Sequence, residues 1–405
     1  MHPTVKPALR RAWRERQTVQ FGVTPAHAVS VGPVDTATGA LLDMLDGTRG
    51  LPLLREEARA LGLPDGHADA LVRRLAAAGL IDDPKAGGPA ADALRTKTGA
   101  LDRLRPDLAS LSVVHPEPGG GIRRLAARRT ARVRVMGAGR VGATVAALLS
   151  SSGVGEVEVL DGGCAEPWDV APGGLPAEAV GERRDSAARR LVRRSAPLRP
   201  PRSGGPGGTG GTGSAGITGG TGARVSDTGG AASGGGTPGL SLVVVCPRDG
   251  LAAYAPDPAG AVDWIATGTP HLYAGVVEAT GVVGPLVLPG GTACADCLDR
   301  GRAERDPGWH RLLAQWRSGG RRVAVPACDI ALATAVAGTA AAHALSFLDG
   351  ELPMSTGKRW ETSLPLLDWR SERIAPHADC SCGASGKSEG QDTSGFGSAH
   401  ETMAG

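Results

Sequence analysis

Residues 131–161 read "ARVRVMGAGRVGATVAALLSSSGVGEVEVLD", and this stretch decides the fold. The alternation of apolar residues over 131–136 predicts a strand. The apolar run after the glycines predicts a helix that ends at Gly153. "EVEVLD" predicts the next strand. Strand, glycine turn, helix and strand make a βαβ unit, so we predict an α/β domain with a Rossmann-type sheet.

The turn between the first strand and the helix has the spacing of a nucleotide-binding glycine motif. Gly137 would make the tight turn, Gly139 would let a phosphate approach the backbone, and Gly142 would let helix and strand pack closely. Asp161 ends the second strand, where a carboxylate can hydrogen-bond to a ribose hydroxyl. The same glycines could serve packing alone, so the motif predicts a nucleotide fold and leaves nucleotide binding open.

Four of the seven cysteines fall in two closely spaced pairs. Cys294 and Cys297 lie in "PGGTACADCLDRG", and Cys380 and Cys382 lie in "HADCSCG". Four thiolates from two short loops can close a tetrahedral zinc site, which needs no open position when it is structural. We therefore predict a structural zinc ion, with unrelated thiols as the alternative.

Composition restricts the class of protein. The 405 residues suffice for two or three domains, and a net charge of +3 does not favour nucleic acid or membrane binding. The N-terminus has no apolar signal segment, and the apolar run 329–348 is expected to be a buried helix. We thus expect a cytoplasmic protein, in which reduced cysteines point to metal binding or catalysis before disulfides.

The three remaining cysteines receive no common role. Cys246 ends the apolar run "LSLVVVC" and is expected in the core, whereas the roles of Cys164 and Cys328 stay open.

The chain divides into segments by composition. Residues 1–83 contain "TVQFGV" and "HAVSVG", which alternate like strands, followed by three amphipathic helical stretches; this order suggests a small winged-helix-like domain. Residues 84–130 are predicted to be a linker with some helix, and 131–383 the α/β domain. Residues 201–239, a Gly/Thr/Ser tract, and 384–405 are predicted to be a disordered insertion and a disordered tail.

The order of motifs resembles a known superfamily. "VRVMGAGRVG", "VEVLD", "VVGPLVLPGGTACADCL", "DIALATAVAGTAAAHALSFLDGE" and "CSCG" together resemble the ThiF/MoeB superfamily, the ubiquitin-activating-enzyme-like adenylyltransferases, over residues 131 to 383. The resemblance implies that ATP and magnesium bind at the glycine turn and Asp161. It also implies adenylation of the C-terminal carboxylate of a small protein or peptide. We expect a homodimer.

Three positions depart from the family pattern. No arginine lies between Asp161 and Arg183, where the family has one that reaches the phosphates. Arg184 stands where the family has a lysine, and Asp249, in "CPRDG", lies near the place of the metal-binding aspartate but is displaced from it. Since adenylation relies on charge stabilisation of the phosphoryl centre, these departures predict weak or lost use of ATP, with Arg184 and Asp249 as the candidate catalytic residues.

The N-terminal unit carries a second resemblance. The "LDGTR" turn and the closing "AAAGLIDD" resemble PqqD-type leader-recognition domains, which add a peptide to their own sheet. The unit holds ten basic and ten acidic residues, so it lacks the basic footprint of a DNA-binding winged helix. The two modules in this order resemble the ThiF-like partners of YcaO cyclodehydratases, which modify ribosomal peptides.

Three functions follow from these patterns. The first is a degenerate adenylyltransferase-like subunit that binds a leader peptide and serves a YcaO protein in trans. The second is an active ATP-dependent adenylyltransferase acting on a peptide or small protein. The third, an NAD(P)-dependent oxidoreductase, is disfavoured because it does not explain the paired cysteines.

Overall fold

The structure is a computed structural model that describes residues 1–197, 239–318 and 325–386. Of the two segments predicted to be disordered, residues 201–238 and 387–405 lie outside the described residues.

The first unit of the chain, residues 1–83, combines small sheets with three helices. Its strands are β1 (Thr4–Val5), β2 (Arg11–Glu15), β3 (Thr18–Phe21), β4 (Val29–Val31) and β5 (Ile81–Asp82). Its helices are α1 (Thr36–Asp43), α2 (Leu51–Ala60) and α3 (His67–Ala77). Strands β2, β3 and β4 form an antiparallel sheet, and β1 pairs with β5. The predicted strands correspond to β3 and β4, and all three predicted helices are present. The winged-helix interpretation stays a prediction.

Residues 84–130, for which the sequence predicts a linker with some helix, contain four helices: α4 (Pro89–Arg95), α5 (Thr98–Arg103), α6 (Arg105–Val114) and α7 (Gly120–Arg128). They bury a small apolar core of their own, to which Leu94, Leu104 and Leu125 contribute. The fully buried Lys6 donates from Nζ to the carbonyl oxygen of His115 at 3.1 Å. This hydrogen bond ties the first unit to the four helices.

The α/β domain is built on a sheet of seven strands among the described residues. The strands are β6 (Arg132–Met136), β7 (Glu156–Leu160), β8 (Leu242–Val245), β9 (His271–Val277), β10 (Thr280–Val287), β11 (Lys358–Ser363) and β12 (Arg370–Arg373). The spatial order is β12-β11-β10-β9-β8-β6-β7, and the pairs from β9 to β7 are parallel. The parallel part is the Rossmann-type sheet that the sequence predicts, and β9 to β12 extend it as an antiparallel meander.

Seven helices accompany this sheet in the described ranges. They are α8 (Arg140–Ser151), α9 (Arg184–Ser195), α10 (Leu251–Tyr254), α11 (Val262–Ala266), α12 (Ala295–Arg305), α13 (Trp309–Ser318) and α14 (Ile330–Leu348). The predicted strands 131–136 and 156–161 and the helix between them are β6, β7 and α8. The predicted buried strand "LSLVVVC" is β8, whose Leu242, Val243 and Val244 are fully buried.

Helix α14 is the long apolar run that the sequence predicts to be a buried helix. By length and composition it is the one helix of the described residues that could cross a membrane, with a mean hydropathy of 1.5. One face of it packs on α8 and on strands β9 and β10, and 39% of its most apolar window is buried, so the predicted burial holds for one face of the helix. Val336, Ala337 and Ala340 are buried in that contact. The cytoplasmic location stays a prediction.

The glycine turn holds three elements at backbone contact distance. Gly137 has a φ of 110°, and a Cβ on it would lie 1.9 Å from the carbonyl oxygen of Cys246 at the end of β8. A Cβ on Gly142, inside α8, would lie 2.2 Å from the carbonyl oxygen of Gly137. A Cβ on Gly139 would meet nothing closer than Cγ of Arg248, at 3.4 Å. Gly137 and Gly142 are therefore required by packing, and Gly139 is not.

These contacts predict opposite outcomes for two alanine substitutions. Gly142→Ala should lower the free energy of unfolding by about 3 kcal/mol or more, because the clash with backbone exceeds the roughly 1 kcal/mol that alanine gains in a helix. Gly139→Ala is the matched control and should change it by less than about 1 kcal/mol. Urea unfolding of both variants measures the difference. Equal stabilities would contradict the packing role of Gly142.

Candidate functional site

The candidate nucleotide site lies where the glycine turn meets the carboxyl end of β7. The backbone N–H of Ala138 donates to Oδ2 of Asp161 at 2.6 Å. Gly139 is the residue that caps the start of α8, so the free N–H groups of the first helical turn begin directly after it. The structure thus brings the predicted Gly137, Gly139, Gly142 and Asp161 together at one end of the sheet.

Arg184 also lies at this site, held by acceptors that surround it. Its Nε donates to Oδ1 of Asp161 at 2.9 Å, and its guanidinium also donates to the carbonyl oxygens of Gly162 and Cys164. The side chains of Arg184 and Asp161 are 11% and 9% exposed. The predicted substitute for the family's lysine is therefore ion-paired with the carboxylate predicted to bind ribose.

Asp249 lies outside this group. It is exposed, and its carboxylate accepts a hydrogen bond from the N–H of Leu251 at 3.0 Å, beside the start of α10. Its neighbour Arg248, rather than Asp249, lines the space next to the glycine turn.

Sequence reasoning missed four residues that complete the site. Arg248 donates from Nε to Oδ1 of Asp169 at 2.7 Å and also contacts the carboxylate of Glu166. Its guanidinium carbon lies 5.7 Å from the ring centre of Trp168. One sequence feature could have indicated them: Glu166, Trp168 and Asp169 cluster in "EPWD", within the arginine-free stretch after Asp161.

Asp169 is the most enclosed carboxylate of the group. It is 2% exposed and also lies 3.5 Å from Nη1 of Arg184. Burial raises the pKa of Asp169 to about 6, against the opposing effect of Arg184. We call Asp161, Glu166, Asp169, Arg184 and Arg248 the ionic cluster. It joins the two strand ends and the 3₁₀ turn 167–169 by ion pairs.

The ionic cluster leaves little space above the glycine turn. The cavity there has a volume of about 20 Å³, and its walls include Gly139, Trp168 and Arg248. Arg140 and Cys328 also line it, and Nη1 of Arg140 donates to the carbonyl oxygen of Cys328 at 2.7 Å. A volume of this size holds about one water molecule.

The leftover cysteines differ in exposure. Cys328 is half-buried at the cavity, Cys164 is exposed, and Cys246 is buried as the sequence predicts. Burial raises the pKa of the Cys246 thiol to about 12, which makes it unreactive at neutral pH.

The four paired cysteines form a second, separate cluster at the start of α12. The Sγ atoms of Cys294 and Cys297 are 3.9 Å apart; Cys294 to Cys380 is 3.5 Å and Cys297 to Cys382 is 3.6 Å. All four sulfur atoms lie within 4.8 Å of one another, and all four residues are buried. A tetrahedral zinc ion with Zn–S bonds of about 2.3 Å requires sulfur atoms about 3.8 Å apart. The cluster therefore has the donor set and the spacing to hold a zinc ion.

Removal of one thiol tests this metal site. Cys297→Ser should lose about one zinc ion per chain and lower the melting temperature, because metal binding and folding are coupled in such sites. Cys164→Ser, which removes an exposed thiol elsewhere, is the control and should keep both. Metal analysis with thermal unfolding gives the result; wild-type protein that contains no zinc, with four thiols freely reactive, would contradict the site.

Comparison with known proteins places the fold. The family model described as "ThiF family" matches residues 118–199 and 261–384, just over half of the chain. No curated protein matches the sequence significantly.

Solved structures match over nearly the whole chain. Escherichia coli MccB with ATP has a TM-score of 0.61 at 16% identity, over 94% of this chain and 99% of that one. The microcin C7 biosynthetic enzyme MccB with N-formylated MccA has 0.62 at 15%, over 95% and 100%. PaaA has 0.61 at 14%, over 91% and 98%. Because the family model matches just over half of the chain, this chain belongs to the ThiF family.

Proposed function

We propose that this protein is an adenylyltransferase-type member of the ThiF family that binds a peptide as a subunit of a peptide-modifying system. Its own nucleotide site would bind ATP only weakly. The ionic cluster is the observation that carries the proposal. Two arginines beside the glycine turn, Arg184 and Arg248, already form ion pairs with Asp161, Asp169 and Glu166.

Carboxylates already pair with the arginines of the ionic cluster, and a triphosphate would have to displace them. Arg184 and Arg248 pair with Asp161, Asp169 and Glu166, and Arg140 at the start of α8 is a third arginine beside the glycine turn. A charged hydrogen bond to phosphate is worth roughly 1.5–3 kcal/mol. Loss of two such contacts would weaken ATP binding by a factor on the order of a hundred or more. The stretch after Asp161 contributes carboxylates where the family pattern supplies an arginine.

The N-terminal sheet supports a peptide partner. In the part of the chain that the structure describes, β2 and β4 each pair on one side only, with β3 between them. Strand β2 is exposed along its whole length, and Trp13 on it is 53% exposed. An extended peptide can add to such an edge through backbone hydrogen bonds while an aromatic side chain contacts it. The PqqD-like interpretation of this unit and a YcaO protein acting in trans belong to the proposal.

The structural neighbours favour the same class of partner. MccB is described as a biosynthetic enzyme in complex with N-formylated MccA, and N-formylation marks the start of a polypeptide chain. The similarity covers residues of both the N-terminal unit and the α/β domain, since it spans 95% of this chain.

A second candidate is an active adenylyltransferase. It is favoured by the complexes of MccB with ATP and with AMPCPP and MccA, whose folds this chain shares. In that case the backbone at Gly139 would bind the phosphates and Asp161 the ribose. Asp249 would have to move to hold magnesium there, since it lies outside the ionic cluster. ATP would supply pyrophosphate as the leaving group. The oxidoreductase alternative gains nothing from the family match and is not carried further.

Titration of ATP and magnesium into the purified full-length chain separates the two candidates. We expect weak or absent binding, and no ATP–pyrophosphate exchange by the protein alone, because the two arginines are already paired. Short peptides encoded beside the gene should bind in a separate calorimetric titration.

Gly139→Asp serves as the control for site-specific binding, since it places a carboxylate on the turn. Wild-type affinity in the micromolar range that Gly139→Asp abolishes, together with exchange on adding a peptide, would replace the first candidate by the active adenylyltransferase.

The exposed face of α14 supports the homodimer that we propose. Only 39% of its most apolar window is buried, although the mean hydropathy of that window is 1.5. Its exposed residues are mostly small: Ala331, Thr334, Ala335, Gly338 and Ala342. A small, apolar surface on a long helix can pack against the same surface of a second copy around a two-fold axis.

Charge on this face should separate the two copies. A Cβ on Gly338 meets nothing within 4 Å, so Gly338→Glu changes the surface and leaves the packing of the subunit intact. We expect a dimeric wild type and a monomeric Gly338→Glu by light scattering at equal concentration. Gly99→Glu, on the exposed helix α5 with equally open space, is the control and should remain dimeric. A monomeric wild type would refute the dimer.

A further inference from the structure

We propose that Arg248 is a latch that closes the nucleotide site of this chain, so that a nucleotide enters only after the Arg248 side chain leaves Glu166 and Asp169. The inference rests on the proposed nucleotide site at the glycine turn. It adds a residue that controls entry, whichever of the two candidate functions holds.

The position of Arg248 follows from the path of the chain after β8. Cys246 is fixed against the glycine turn, since its N–H donates to the carbonyl oxygen of Met136 at 2.8 Å. Two residues later, the Arg248 side chain crosses the turn, with Cγ 3.4 Å from the place of a Cβ on Gly139. Arg248 therefore lies next to Gly139, the residue that caps α8, where this fold offers N–H donors to phosphate.

Three contacts hold the latch closed. The guanidinium donates to Asp169 at 2.7 Å, pairs with Glu166 and lies over Trp168 at 5.7 Å from the ring centre. Asp169 is nearly inaccessible, so its interaction with Arg248 is only weakly screened by solvent. All three partners come from one short segment, 166–169, which therefore holds the Arg248 side chain in place.

The closed site is too small for any nucleotide. Its volume is about 20 Å³, whereas small-molecule pockets usually measure about 300–1,000 Å³. Movement of Arg248 would enlarge this space, because Arg248 itself forms part of the cavity wall.

Arg140 is the second observation that points to an anion at this place. It begins α8 and lines the same cavity, and its buried Nε has no hydrogen-bond partner among the described residues. A phosphate that displaced Arg248 would meet this donor and the helix N-terminus together.

The direction in which one substitution changes the affinity for ATP tests the latch. Arg248→Ala in the full-length chain should bind ATP with magnesium at least tenfold more tightly than the wild type in calorimetric titration. The affinity for AMP, measured without metal, should also be higher in Arg248→Ala than in the wild type. Arg248→Lys retains the charge but loses the planar fork that reaches both carboxylates, so it should lie between the two. Arg183→Ala removes an exposed arginine with the same change in net charge and should match the wild type.

A readout without nucleotide keeps the test independent of the proposed function. Cys328 lines the closed cavity, so a small maleimide should label it several-fold faster in Arg248→Ala than in the wild type, as followed by peptide mass spectrometry. Labelling of the exposed Cys164 should be equal in both and reports reagent quality.

The outcomes separate the two hypotheses. Tight ATP binding by the wild type would contradict the proposal that the site binds ATP weakly. The ratio of the ATP dissociation constants of Arg248→Ala and the wild type would still test the latch. A loss of ATP affinity in Arg248→Ala would overturn the latch. Unchanged affinity together with unchanged Cys328 labelling would overturn it as well.

Discussion

The close approach of the glycine turn to the end of β8 is the constraint on which the site depends. Gly137 has no room for a side chain because the carbonyl oxygen of Cys246 occupies it, and Gly142 has none because of Gly137. This contact fixes where the chain continues after β8. Arg248 then necessarily emerges over the turn, within reach of the segment that follows β7. A packing requirement among three backbones thus determines which charged side chain faces the candidate nucleotide site.

The buried charge of Asp169 lowers the stability of the folded state, and the packing of the site does not explain why it is there. The pKa of Asp169 is raised by burial to about 6, so the folded state binds a proton more readily than the unfolded chain does. Ionised Asp169 consequently lowers stability above about pH 6, and this contribution disappears as the pH falls below the unfolded value near 3.9. A buried carboxylate that destabilises the fold, paired with an arginine from 79 residues away, fits a functional constraint better than a structural one.

The sequence was sufficient for the parts of the fold that depend on local pattern. The βαβ unit and the buried strand β8 were predictable because periodicity and glycine spacing act over a few residues, and the meeting of the two cysteine pairs because paired spacing indicates a shared ligand. The ionic cluster was not predictable. Arg248 and Asp169 are 79 residues apart in the chain, and nothing in "CPRDG" or "EPWD" alone specifies their contact. The four helices of 84–130 were underestimated because Gly, Pro and Ala conceal a weak apolar pattern.

The two clusters of the α/β domain solve different physical problems. The cysteine cluster joins α12 to residues 380–382 through buried thiols, so a metal there would stabilise a part of the domain that is poor in large apolar side chains. The ionic cluster joins β7, β8 and the start of α9 through charges that also attract or repel a ligand. Since the first needs no exchange with solvent and the second does, stability can be assigned largely to one cluster and control of access to the other. Changes at 166–169 and 248 can then alter the candidate nucleotide site without disturbing the scaffold of the domain.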